Sequence, residues 1–161
     1  QAKDDAPHYQ HSIVGYNYRL SNICAGIGRG QMEVIDERVA QRRANHEFYK
    51  EIFKNQEGVE LFTEPSLDFQ SNHWLNAIII HPEKTNNKDR EFWRLAFAQD
   101  NIETRPLWKP MHLQPLFANK MYFGVNIAET LFNNGLCLPS GSNLTDDDKE
   151  RINKVIKNLL G

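Results

Sequence analysis

Two short runs in this chain gather residue types that bind anions and flat rings. In Gly15-Tyr16-Asn17-Tyr18-Arg19-Leu20-Ser21-Asn22, an amide and a guanidinium stand two residues apart between aromatics. Residues i and i+2 of an extended segment face the same side, so Asn17 and Arg19 can reach one anionic ligand together. Arg offers a planar fork suited to phosphate or carboxylate. A strand end whose Arg covers a helix terminus or meets a surface acid has the same pattern, and the pattern alone does not choose. The second run, Arg105-Pro106-Leu107-Trp108-Lys109, joins two cations to an aromatic plane. Such a set pairs with a diphosphate and stacks on a base or sugar ring. Its plain alternative is a strand end with Trp in the core and both cations in solvent.

Other candidates carry less chemistry. Six histidines invite a metal reading. His8 and His11 sit in an irregular arm, while His46, His73, His81 and His112 are scattered without zinc-finger spacing or HExxH, so no metal site is expected. Ser140 in Pro-Ser-Gly-Ser lacks the GxSxG turn of a serine nucleophile. Gly26, Gly28 and Gly30 do not form a GxGxxG loop; they suggest close packing or a break between two helices. The basic run Glu37–Arg43 reads as a solvated helix face. Cys24 and Cys137 read as reduced thiols, not a disulfide framework.

The elements that would position these residues follow from periodicity. Residues 1–20 read as an irregular, partly extended arm. A helical pattern runs from Ser21, a candidate N-cap, to about Lys54, with Ile23, Ile27, Val34, Ile35 and Val39 on one stripe. Strands are predicted at Gly58–Phe62, Trp74–Ile80, Ile102–Leu107 and Gly135–Leu138. Helices are predicted at Lys88–Asp100 and Ala128–Asn134. A last helix spans Thr145–Leu160, where Thr145 caps and Asp146, Asp147 and Asp148 suit the positive helix terminus. The expected fold class is α+β: a small three- or four-stranded sheet with helices over one face, preceded by a long connecting helix. Residues 1–54 are expected to be an interface arm and connecting helix belonging to a larger domain, and 55–161 a small C-terminal domain. With 161 residues, 40% hydrophobic content and a net charge of −2, the chain can build a core and gives no global case for nucleic acid. No apolar run approaches a membrane span, and a cytoplasmic location is expected.

The stretch GYNYRLSNICAGIGRGQMEVIDERVAQRRANHEFY resembles the segment that opens the C-terminal part of DegT/DnrJ/EryC1/StrS proteins, which are pyridoxal-phosphate-dependent nucleotide-sugar aminotransferases. Glu103 to His112 resembles that family's substrate-side loop. Leu136-Cys137-Leu138-Pro139-Ser140-Gly141-Ser142 resembles its closing turn before the last helix. RPLWKPMH is most similar to the branch acting on UDP-linked 4-keto-6-deoxy amino sugars, the bacillosamine-pathway type. The resemblance implies a C-terminal portion of the transferase fold, with the Schiff-base lysine upstream, so that the chain alone should be inactive and should not hold pyridoxal phosphate tightly. It implies amino transfer, from glutamate, to a 4-keto nucleotide sugar in a homodimer. It makes Asn17 and Arg19 cofactor-binding residues, reaching the neighbouring subunit's phosphate or a nearby anion. Arg105, Trp108, Lys109 and His112 become substrate-binding residues. A non-catalytic binding module, or a relative that dehydrates the sugar, stays open as an alternative.

Overall fold

The computed structural model describes residues 12–16, 18–117 and 119–161. Asn17, His8 and His11, and with them most of the expected arm, lie outside the described residues. The chain divides into two compact units, Gln1–Ile35 and Asp36–Gly161.

In the first unit an irregular segment leads into helix α1, Asn22–Met32. Ser21 is its N-cap, in extended conformation, and its hydroxyl accepts from the Cys24 amide at 3.1 Å. That satisfies one of the amides a helix start leaves unpaired. α1 carries no buried residue. Ile23, Ile27 and Met32 of α1 are exposed, as are Tyr16, Tyr18 and Leu20 before it. The single helical pattern expected to Lys54 breaks at Glu33–Val34, after the glycines rather than among them.

The second unit is built around a four-stranded antiparallel sheet, which is the expected α+β class. Its strands are β1 (Val59–Leu61), β2 (Asn76–Ile80), β3 (Arg105–Pro106) and β4 (Gly135–Leu138), in spatial order β1-β2-β4-β3. Ile78 pairs with Leu136 across β2 and β4. Because strand side chains alternate, Ile78, Ile80, Leu136 and Leu138 share one face. There they join Tyr49 and Phe53 of helix α2 (Ile35–Phe53), Trp93 and Phe97 of α3 (Arg90–Gln99), and Ile152, Val155, Ile156 and Leu159 of α5 (Asp146–Leu160) in one buried core. Residues of α2 up to Phe53 thus pack with the sheet, and the compact unit begins at Asp36 rather than at the expected residue 55.

Local chemistry accounts for the ends. α5 has a full capping box: the Thr145 hydroxyl accepts from the Asp148 amide and the Asp148 carboxylate accepts from the Thr145 amide. Those hydrogen bonds hold the Asp148 carboxyl below its ordinary value. β3 is only two residues long, against an expected run over Ile102–Leu107. Pro106 has no amide hydrogen to give a ladder, which confines it to an edge, and β3 is one of the two edge strands. Gly135 is required at the head of β4, since a Cβ there would overlap the Leu107 side chain and the Leu131 carbonyl. Helix α4 (Ile127–Asn134) runs straight into it.

One face of α2 fastens the unit together. Arg42, Asn45, His46 and Tyr49 recur at i, i+3, i+4 and i+7, the spacing of a single helical stripe. Arg42 Nη1 donates to the Trp74 carbonyl at 2.6 Å and the Ser140 carbonyl at 3.2 Å. Asn45 Nδ2 donates to the Gly141 carbonyl at 2.8 Å, and the Tyr49 hydroxyl donates to the Pro139 carbonyl at 2.8 Å. His46 Nδ1 meets Asn76 Oδ1 at 2.8 Å. The expected solvated face therefore holds for Arg38, which pairs with Gln41 and Glu37, and fails for Arg42 and Arg43. Arg42 clamps carbonyls, and Arg43 bonds the Ser71 carbonyl and lies 3.8 Å from Glu64.

Ser140 is the buried centre of this arrangement. Its hydroxyl accepts from the Asn76 amide at 2.8 Å and from Asn76 Nδ2 at 3.1 Å, and donates to the Leu138 carbonyl at 2.8 Å. Its capacity is spent structurally, which leaves no nucleophile. Ser140→Ala strands two buried donors, so unfolding free energy in urea should fall by about 1–3 kcal/mol. An unchanged urea midpoint would mean that Asn76 finds other partners.

Candidate functional site

β3 and the residues flanking it wall an open cleft of about 720 Å³. Residues 103–108, Trp74, Leu75, Cys137 and Leu138 line it. Cys137 alternates with Leu136 and Leu138, so its side chain leaves the sheet on the face away from the helical core. Burial pushes its thiol up, away from the reactive thiolate.

Arg105 and Trp108 of the sequence candidates come together here. Arg105 is exposed and donates through Nε to Glu103 Oε1 at 2.7 Å, with Nη2 at 2.6 Å from the same oxygen. Both side chains are more than two-thirds exposed, so the pair is screened and easily exchanged for another anion. Trp108 is 68% exposed and its ring lies 6.2 Å from that of Trp74, itself 59% exposed. Trp74 escaped the sequence reading because it stands at the head of an apolar run that reads as buried strand. The strand in fact starts two residues later, at Asn76. Thr104, which also lines the cleft, is buried and its hydroxyl has no partner among the described residues.

The other candidates lie elsewhere. Lys109 is exposed just beyond Trp108. His112 belongs to a separate pocket of about 270 Å³ with Phe117, Met121 and Tyr122. Its Nε2 meets Glu129 at 2.7 Å and its ring stacks on Tyr122 at 3.8 Å. Arg19 is exposed in the first unit, and Asn17 is outside the described residues.

The structure also gathers histidines that look scattered in sequence. His46, Glu64 and His73 each bring a ligand-capable atom within 4.8 Å of the others. The two imidazoles stack face to face, 3.6 Å between centroids and 8° between planes. Parallel rings direct their in-plane lone pairs side by side rather than at one point, and the Arg43 guanidinium is close to Glu64. The cluster works as hydrogen bonding: His73 Nε2 lies 3.1 Å from Glu64 Oε1, and Glu64 accepts the Ser71 amide at 3.1 Å.

Burial, and then the neighbouring His46, lower the pKa of His73, while backbone hydrogen bonds hold the Glu64 carboxyl low. The unfolded chain therefore protonates His73 more readily than the folded one. Stability should be full above the ordinary imidazole value of 6.5 and should decline as pH falls below it. The Glu64 contribution, present above 4.5, should be lost at more acid pH as its lowered folded value is crossed. Urea midpoints between pH 7.5 and 5 should fall, with a shallower slope in His73→Gln. An identical slope in the variant would assign the proton uptake to another group.

Pyridoxal phosphate, which the resemblance implies, needs an amine for covalent attachment. Among the described residues that line the cleft there is no lysine. The cleft does not fit the cofactor's attachment site; an exposed cation beside two indoles suits an anionic, ring-bearing molecule.

Residues 1–157 match the DegT/DnrJ/EryC1/StrS aminotransferase family. EpsN of Bacillus subtilis (strain 168), provisionally named a pyridoxal phosphate-dependent aminotransferase, is 42% identical over 99% of this chain and 41% of its own length. The GDP-perosamine synthase of Escherichia coli O157:H7 is 34% identical over 86% of this chain and 36% of its own. The chain thus spans about two-fifths of the length of these relatives. The aminotransferase TlmJ from Streptoalloteichus hindustanus superposes with a TM-score of 0.83 at 18% identity, over 99% of this chain and 42% of that one, which speaks for the fold. With its family match extending over nearly every residue, the chain belongs to the DegT/DnrJ/EryC1/StrS aminotransferase family.

Proposed function

We propose that this chain is the substrate-facing C-terminal part of a nucleotide-sugar aminotransferase. The whole protein would move an amino group, from glutamate, to a 4-keto nucleotide sugar. One observation carries the reading: Arg105 and Trp108, singled out in sequence for diphosphate and ring binding, line the same open cleft. Pyridoxal phosphate, where bound, supplies the electron sink for amino transfer. This chain's part is to bind and orient. Arg105, released from Glu103, and Lys109 would take the diphosphate charge, and Trp108 a ring face. His112 would act indirectly, its hydrogen bond to Glu129 tying the residues that follow Lys109 to α4. Asn17 and Arg19 would face the phosphate of a neighbouring subunit's cofactor in a homodimer. Residues 1–35 would then be the interface arm that delivers them, an assignment supported by the exposed apolar side chains of α1.

The whole protein, supplied with glutamate and UDP-, dTDP- or GDP-linked 4-keto-6-deoxy sugars, should convert at least one into a 4-amino product visible by mass spectrometry. A dehydrated product without nitrogen would assign the sugar-dehydrating branch instead, and no product from any of them would overturn the reading. Arg19→Ala should lower turnover or cofactor retention by about ten- to a hundredfold, the value of a charge-assisted bond to a buried anion. Arg38→Ala, on the solvated part of α2, should change neither. Equal effects would make the Arg19 segment structural.

A further inference from the structure

We infer that Trp74 is a specificity-determining residue of the cleft: with Trp108 it forms an aromatic jaw that takes the base of a nucleoside diphosphate. This rests on the nucleotide-sugar reading above and names the part of the ligand that Trp74 meets.

The backbone at Trp74 is held from several directions, yet its indole is offered to solvent. Arg42 Nη1 donates to its carbonyl at 2.6 Å, and its amide donates to Asn72 Oδ1 at 3.1 Å. Two residues on, the Asn76 amide is bound to Ser140. His73, immediately before it, adopts a left-handed conformation with φ 48° and is 6% exposed. A non-glycine residue there is uncommon and is kept only where its surroundings demand it. The turn sends the His73 ring into the stack with His46 and leaves Trp74 59% exposed on the cleft. Fixed backbone behind a large exposed aromatic is the arrangement of a stacking platform.

The partner ring gives the platform its shape. The two indoles lie 6.2 Å apart and are tilted by 30°, an open V rather than a closed pair. The gap is too narrow for a flat ring to stack on both indoles, so a base would lie on the exposed face of Trp74 with the edge of Trp108 beside it. Arg105 lines the same cleft, and Lys109 adjoins Trp108 in the chain. An aromatic jaw beside cations matches a molecule with a planar base at one end and a diphosphate at the other. Inorganic pyrophosphate would use the cations alone.

That difference makes the test. UDP, dTDP, GDP and inorganic pyrophosphate are titrated into the whole protein, with affinity from calorimetry and contact from tryptophan emission. Trp93, fully buried, supplies a constant background. The expected result is quenching by a nucleoside diphosphate. Trp74→Ala should weaken its binding about tenfold, the scale of one base–aromatic stack, and leave pyrophosphate binding unchanged. Trp74→Phe should recover most of the loss. Unchanged nucleotide affinity in Trp74→Ala would overturn the assignment while leaving the cleft a nucleotide site. So would an equal loss for pyrophosphate, the mark of a merely structural role. No binding of any of the four would overturn both the assignment and the nucleotide reading of the cleft.

Discussion

The Pro139–Gly141 turn is the joint on which the second unit depends. Four side chains of one α2 stripe reach this turn and the strand facing it, and each ends on a backbone carbonyl or a buried amide. Ser140 closes the circuit by holding Asn76 at the start of β2. Buried polar groups left unpaired cost about 1–3 kcal/mol each, so the circuit tolerates few changes in α2's rotation or height. Hydrophobic burial alone would let α2 slide over Ile78 and Leu136. The hydrogen bonds select one register, and with it the place where Trp74 emerges.

The same joint separates two tasks across one sheet. The face carrying Ile78, Ile80, Leu136 and Leu138 is given to the core. Cys137, one residue out of phase, belongs to the cleft. A strand buried on both faces has no freedom to slip, since a one-residue shift would exchange core and cleft side chains. β4 is buried along its whole length and pairs on both edges. Arg105 pairs with Cys137 on that strand, so the cleft's charged group is indexed to the same register as the core.

Much of this was legible in sequence, and the illegible parts share a cause. The Thr145 cap, the acidic first turn of α5 and the extent of β4 are local signals, and local signals survive into the fold. The amphipathic pattern placed α3 within two residues at each end. Long-range partners are what periodicity cannot report. Arg42 and Arg43 have the look of a solvated basic face until carbonyls 28 to 98 residues away are seen to receive them. His46 and His73 stand 27 positions apart with no motif between them, and only the left-handed turn at His73 stacks them. Trp74 was lost for the opposite reason: an apolar neighbour of an apolar strand reads as core, and its exposure follows from that same turn.

The charge at the cleft mouth follows from these distances. Arg105 does not wait as a bare cation; Glu103, two residues before it, occupies its fork. An exposed pair of this kind contributes roughly 0–1 kcal/mol, small beside what a diphosphate offers a guanidinium in bidentate contact. Glu103 therefore leaves the guanidinium open to exchange with a stronger partner. On the proposed reading a diphosphate would present several oxygens where Glu103 offers one. The competing acid stands two residues before the arginine, so the same short segment sets both the cation and its resting partner, beside the two exposed indoles.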